Sequence, residues 1–97
     1  MATYISLVNW TDQGIRNYND TVQRADAVSQ LAQQMGGSQT ALYWTLGSYD
    51  LVSIGDFPDD ETATAFALAV SSQGNVRTTT MRAFTQDDMR GILDKIS

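Results

Sequence analysis

The sequence predicts an α+β domain built on one four-stranded antiparallel sheet, and three observations carry that prediction. Four runs rich in β-branched and aromatic residues, Thr3 to Asn9, Thr40 to Leu46, Leu51 to Phe57 and Val76 to Phe84, are each bounded by Gly, Asp, Asn or Pro. Between the first and second runs, and again between the third and fourth, apolar residues recur at intervals of three and four, which is the period of a helix with one buried face. The two middle runs are separated only by GSYD, Gly47 to Asp50, so they read as a hairpin. The resulting order is strand, helix, strand, strand, helix, strand. With right-handed crossovers this is the ferredoxin-like βαββαβ arrangement, with two helices on one face of the sheet, and residues 1–97 form a single domain.

Each element has a local reason. In the first strand, alternation puts Tyr4, Ser6 and Val8 on one side. Thr11 is suited to cap the following helix, with Trp10 and Ile15 at the spacing of a hydrophobic staple. Ile15, Tyr18, Val22, Ala25, Val28, Ala32 and Met35 form its apolar stripe; Gly14 and the Asn19-Asp20 pair weaken it early, so a kink or restart is expected near Asp20. Gly36 and Gly37 end it. An even-numbered hairpin loop places Ala41, Tyr43, Thr45, Val52 and Ile54 on one face, and Leu42, Trp44, Leu46, Leu51, Ser53 and Gly55 on the other. Asp59 caps a second helix running from about Asp60 to Gln73; Asp60 and Glu61 lie at its positive end, Ala63, Phe66, Ala67 and Val70 form its stripe, and Gly74 stops it. The last strand carries Thr78, Thr80 and Arg82 on one side. Thr85 then caps a short C-terminal helix whose apolar side, Met89, Ile92, Leu93 and Ile96, must be covered by something.

Composition removes whole classes of function. Six basic residues against eleven acidic ones leave a net charge of -5, too little positive charge for nucleic acid or an anionic membrane surface. No apolar run approaches the roughly 20 residues that span a bilayer, and MATYISLVNW lacks a secretory leader, so a soluble cytoplasmic protein is expected. The chain has no His and no Cys, which removes the usual ligands of zinc, haem and iron–sulfur clusters, the common nucleophiles and the commonest general base; no cofactor is expected. Asp59, Asp60 and Glu61 are the densest acidic cluster and are accounted for as a helix start, so no metal site is expected.

The second face of the sheet bears on function. Two helices cover one face only, and an uncovered face bearing Leu42, Trp44 and Leu51 would be an association surface; a homodimer or higher homo-oligomer with sheets face to face is expected. On the presumed inner face, an aromatic wall of Tyr4 and Trp44 with Ser6, Ser53, Thr80 and Arg82 would form a small pocket for an anionic or carbonyl-bearing organic molecule. Each of these residues also has a structural use: Trp44 as core or interface, Arg82 as an ion-pairing or edge-strand charge, and the hydroxyl residues as ordinary strand formers. Arg77 is expected to pair with the acidic helix start at the surface. In GSYD, Gly47 and Ser48 suit a turn and Asp50 can accept backbone hydrogen bonds, whereas Tyr49 suits a subunit contact or a ligand.

The segments TDQGIRNYNDTVQRADAVSQLAQQMGG and ALYWTLGSYDLVSIGDFPDDETATAFALAVSSQGNVRTTTMRAFT resemble the GYD-domain family almost from end to end. Gly47, Tyr49 and Asp50 carry its signature with Ser48 interposed; Pro58-Asp59-Asp60 and Gly74 to Thr78 match as well. The resemblance implies a dimeric α/β-barrel fold and no particular activity. Function then rests on the residues, which favour a non-catalytic oligomeric module binding a small ligand or a protein partner. The alternative is a cofactor-free oxygenase or isomerase acting on a small phenolic or enolic substrate, with Tyr49, Asp50 or Arg82 polarising it.

Overall fold

The computed structural model of the chain describes residues 1–96. Strands β1 (Ala2–Trp10), β2 (Ser38–Trp44), β3 (Leu51–Phe57) and β4 (Val76–Ala83) form one sheet in the order β2-β3-β1-β4, with every neighbouring pair antiparallel. The ferredoxin-like arrangement is therefore present. Helix α1 (Asp12–Arg16) is followed by a 3-10 turn over Tyr18–Asp20 and then by α2 (Thr21–Gln34), so the restart falls where Asn19 and Asp20 weaken the helix. Helix α3 spans Asp60–Ser72 and α4 spans Gln86–Asp94. Among the described residues, no helix is long and apolar enough to cross a membrane.

Two boundaries differ from expectation. β2 runs from Ser38 to Trp44 rather than from Thr40 to Leu46, because the Thr45 N–H donates to the Asp50 carbonyl at 2.8 Å and closes the hairpin there. The pairing register also shifts between Gln39 and Ala41, so Thr40 is bulged and Gln39 stands opposite Gly55. β4 stops at Ala83, one residue short of Phe84.

The hairpin faces match the even-loop reading: Ala41 pairs with Ile54 and Tyr43 with Val52, while Leu42 pairs with Ser53 and Trp44 with Leu51. The covered face is the opposite of the one expected. The core is Tyr4, Ala32, Phe57 and Ala63, with Ala2 and Phe66 packed on it, so α2 and α3 lie on the side that also carries Leu42, Trp44 and Leu51. Leu51 is buried at 7% exposure. The uncovered face instead bears Ile5, Leu7, Val52, Ile54, Tyr43 and Met81, in continuous register across all four strands. Alternation assigns residues to a shared face but does not say which face the crossovers take, and here both faces are apolar. The tie is resolved by Tyr4 and Phe57, whose rings meet edge-on at 6.0 Å and fill the space over Ala32 and Ala63.

Helix α1 is stitched to the turn between α3 and β4. The Thr11 N–H donates to the Asn75 carbonyl at 3.0 Å, the Thr11 hydroxyl donates to the Gly74 carbonyl at 2.5 Å, and the same hydroxyl oxygen accepts the Gly14 N–H at 3.1 Å. Gln13 Nε2 adds bonds to the Gln73 carbonyl at 3.2 Å and to Asn75 Oδ1 at 3.0 Å. Gly14 is more than a helix-weakening residue, because a Cβ there would stand 2.0 Å from the Asn75 carbonyl oxygen. Helix α4 begins with a capping box between Thr85 and Asp88 but packs on no other element to any extent, leaving Met89 and Leu93 exposed. Arg90 forms an ion pair with Asp87; Arg77 lies on the uncovered face opposite Asn9, away from the start of α3, contrary to expectation.

Gly14→Ala is expected to destabilise the fold by about 2 kcal/mol or more, because the methyl group meets backbone rather than a side chain that could swing away. Urea unfolding checks it, through a lower midpoint at an unchanged slope.

Candidate functional site

Beneath the helices, the middle of the sheet carries hydroxyls instead of large apolar side chains. Ser6 stands between Ser53 on β3 and Thr80 on β4. Ser6 Oγ and Thr80 Oγ1 share a hydrogen bond of 2.9 Å, and Gln39 Nε2 donates to Ser53 Oγ at 2.9 Å. The Thr40 bulge is what brings Gln39 to this face. Helix α2 packs chiefly on β2, and α3 on β3 and β4, so the helices flank the strip of hydroxyls and barely touch each other. Between them lies a cavity of about 100 Å³, partly open to solvent, with Val28 of α2, Phe66 and Ala67 of α3, and Leu42 and Leu51 of the sheet among its walls.

Tyr4 closes one end. Its hydroxyl donates to Asp60 Oδ1 at 2.6 Å, tying β1 to the first turn of α3. That hydrogen bond, with burial and the Asp60 charge behind it, pushes the phenol up from 10.0 to about 12. Arg82, on the edge strand, lies outside the cavity. Its guanidinium stands 5.7 Å from the centre of the Tyr4 ring and 4.6 Å from that of Phe84, and donates to the Thr3 carbonyl at 3.3 Å and to the Ala83 carbonyl. It borders a more open groove beside α3, together with Asp60 and Leu68, that adjoins the cavity and shares Tyr4, Ala63, Ala67, Thr78 and Thr80 with it.

Of the residues singled out in the sequence, Tyr4, Ser6, Ser53 and Thr80 are brought together at the cavity, on the helix-covered side of the sheet. Trp44 shares that face but is not part of the wall. It sits at the end of β2, 43% exposed, with Nε1 donating to Thr21 Oγ1 at 3.0 Å. Tyr49 and Asp50 line neither cavity nor groove. Asp50 Oδ2 accepts the Trp10 N–H at 2.9 Å, and the Asp50 N–H donates to the Val8 carbonyl at 2.9 Å, so this carboxylate fixes the end of β1 against the hairpin. The Tyr49 carbonyl accepts the Thr45 hydroxyl at 2.5 Å, and the residue as a whole is 37% exposed. Two participants were missed in the sequence. Asp60 read fully as a helix-dipole charge, with nothing local to announce a phenol 56 positions away in the chain. Gln39 became visible only through the bulge.

The polar groups of the cavity floor are hydroxyls and an amide, and the carboxylate beside the wall, Asp60, accepts the Tyr4 hydroxyl. Arg24 is the one cation in the wall among the described residues, and its guanidinium is occupied by the Asn17 carbonyl at 2.8 Å and the Gly14 carbonyl at 3.2 Å. Among the described residues no group of acidic side chains could hold a metal ion.

The Tyr4 phenol holds its proton more tightly in the folded chain than in the unfolded one, so its contribution to stability is complete below pH 10.0 and is lost as the pH rises through about 12. An alkaline absorbance titration is expected to contain one phenol ionising near pH 12, and Tyr4→Phe is expected to remove that step.

Comparison with known proteins places the chain. The GYD domain model matches residues 4–93. The glutamine synthetase and cystathionine beta-lyase binding protein of Thermus thermophilus is 32% identical over 90 residues, which cover 92% of this chain and 95% of that protein. The crystal structure of TTHA0845 from Thermus thermophilus superposes with a TM-score of 0.57 at 23% identity, covering 88% of this chain and 95% of that one, a likeness of fold. With the sheet order, the hairpin signature at Gly47 to Asp50 and a family match over nearly its whole length, the chain belongs to the GYD domain family.

Proposed function

We propose that this chain is a non-catalytic oligomeric module that docks on a protein partner. The observation that carries the reading is the uncovered sheet face, where Ile5, Leu7, Val52 and Ile54 form a continuous apolar centre and Tyr43 and Met81 are 62% and 43% exposed at its two sides. Two copies meeting through this face would remove it from water, and the exposed apolar side of α4 would remain for a partner of a different kind. The Thermus relative, named as a binding protein for glutamine synthetase and cystathionine beta-lyase, supports docking on an enzyme. The alternative of a cofactor-free oxygenase or isomerase draws no support from Asp50, whose carboxylate is engaged by the Trp10 N–H.

Sedimentation at micromolar concentration is expected to give a dimer for the native chain and a monomer for Tyr43→Glu/Met81→Glu, since both side chains are exposed and their replacement spares the core. A native monomer would remove the face-to-face pairing. Purified glutamine synthetase and cystathionine β-lyase from the chain's own host, titrated against the immobilised dimer, are expected to give saturable binding for at least one; binding to neither would count against docking on an enzyme of the kinds named for the relative.

A further inference from the structure

We infer that the cavity between α2, α3 and the sheet is a binding site for a small, neutral organic molecule carrying a carbonyl group. Its size sets the first limit. At about 100 Å³ it is about two-thirds of the ~150 Å³ engineered void that admits benzene, so about four heavy atoms of a ligand lie within it and the rest of a larger one reaches through its open side, without unfolding the chain.

The floor sets the second. In the Ser6–Thr80 pair one hydroxyl proton is used within the pair and the other remains free to donate. Ser53 accepts from Gln39 and so retains its own proton. Ser6 and Ser53 stand directly opposite each other on β1 and β3, so with Thr80 as donor in its pair the floor presents two O–H donors side by side, and with Ser6 as donor it presents Ser53. A carbonyl oxygen has two lone pairs and can take one donor or both.

Charge sets the third. Arg24 in the wall already donates to two backbone carbonyls, so a carboxylate could pair with it only by sharing or displacing those bonds, and Arg82 is not in the wall and is bonded to Thr3 and Ala83. An unpaired anion among such walls is costly, and the net charge of -5 adds to the cost. Of the anionic and carbonyl-bearing ligands the sequence allowed, the site selects the second. The docking of a protein partner on the other surfaces is independent of it.

The test is a titration of the isotope-labelled protein with cyclohexanone, followed by amide chemical shifts, with cyclohexanecarboxylate as the charged comparison. Saturable shifts at Ser6, Ser53 and Ala67 are expected for the ketone, with at least tenfold weaker binding of the acid. Ser6→Ala/Ser53→Ala is expected to weaken the ketone about fivefold to tenfold. Ala67→Leu, which fills the void from α3, is expected to abolish binding, and Val28→Phe from α2 repeats the block should that variant fail to fold. The inference is overturned if the ketone gives no saturable shift at these residues, if the acid binds as well, or if the blocking variants bind like the native chain. Undiminished affinity in the double serine variant overturns the carbonyl assignment.

Discussion

A four-stranded sheet with two apolar faces has only two long helices to cover it, and the rest of the structure follows from that shortage. Tyr4 and Phe57 draw α2 and α3 to one side, where Ala32 and Ala63 let the helix backbones come close. The other side keeps Ile5, Leu7, Val52 and Ile54 in register and without cover from the helices. Hydrophobic burial is the dominant favourable term in folding, so a face of this kind defines the chain's relation to its surroundings as firmly as the core defines its shape.

Coverage is incomplete even on the helical side. Helix–sheet layers normally interlock large side chains to crystal-like density. Here the central register positions are Ser6, Ser53 and Thr80, and the hydrogen bonds that satisfy them run along the sheet rather than up to the helices. The helices therefore rest on the flanks, and the gap between them is a result of polar residues placed where a packed core would have aliphatic ones. Tyr4 closes this arrangement at one end through Asp60, whose single carboxylate both opens α3 and holds the phenol.

Local physics made much of this readable in advance. The caps at Thr11, Asp59 and Thr85 needed only the side chain and the helix that follows, and each accepts the expected backbone N–H. The break near Asp20 needed only Asn and Asp in mid-helix. Hairpin sidedness needed only the parity of the loop. The reading failed where a residue answers to something distant. Leu51 and Leu42 were assigned to an open face because alternation is symmetric, and the choice between faces depends on how rings from β1 and β3 meet methyl groups from two helices. Tyr4, Ser6, Ser53 and Thr80 could be grouped from strand alternation alone, whereas Trp44 fell out of the group because its position is set by where β2 ends relative to Thr21. Gly14 looked like a weak helix residue because its real neighbour, Asn75, is far along the chain.

That last contact has a consequence for how the chain folds. Helix α1 has five residues, too few to persist on its own propensity, and its cap is completed by carbonyls from the turn after α3. The Thr11 to Gly74 bond spans 63 positions, so closing it requires most of the chain to be in place already. Helix α1 therefore has its cap partners only where β4 is paired with β1 and holds Asn75 in place. It acts as a latch between the two βαβ halves, joining the start of the first crossover to the end of the second.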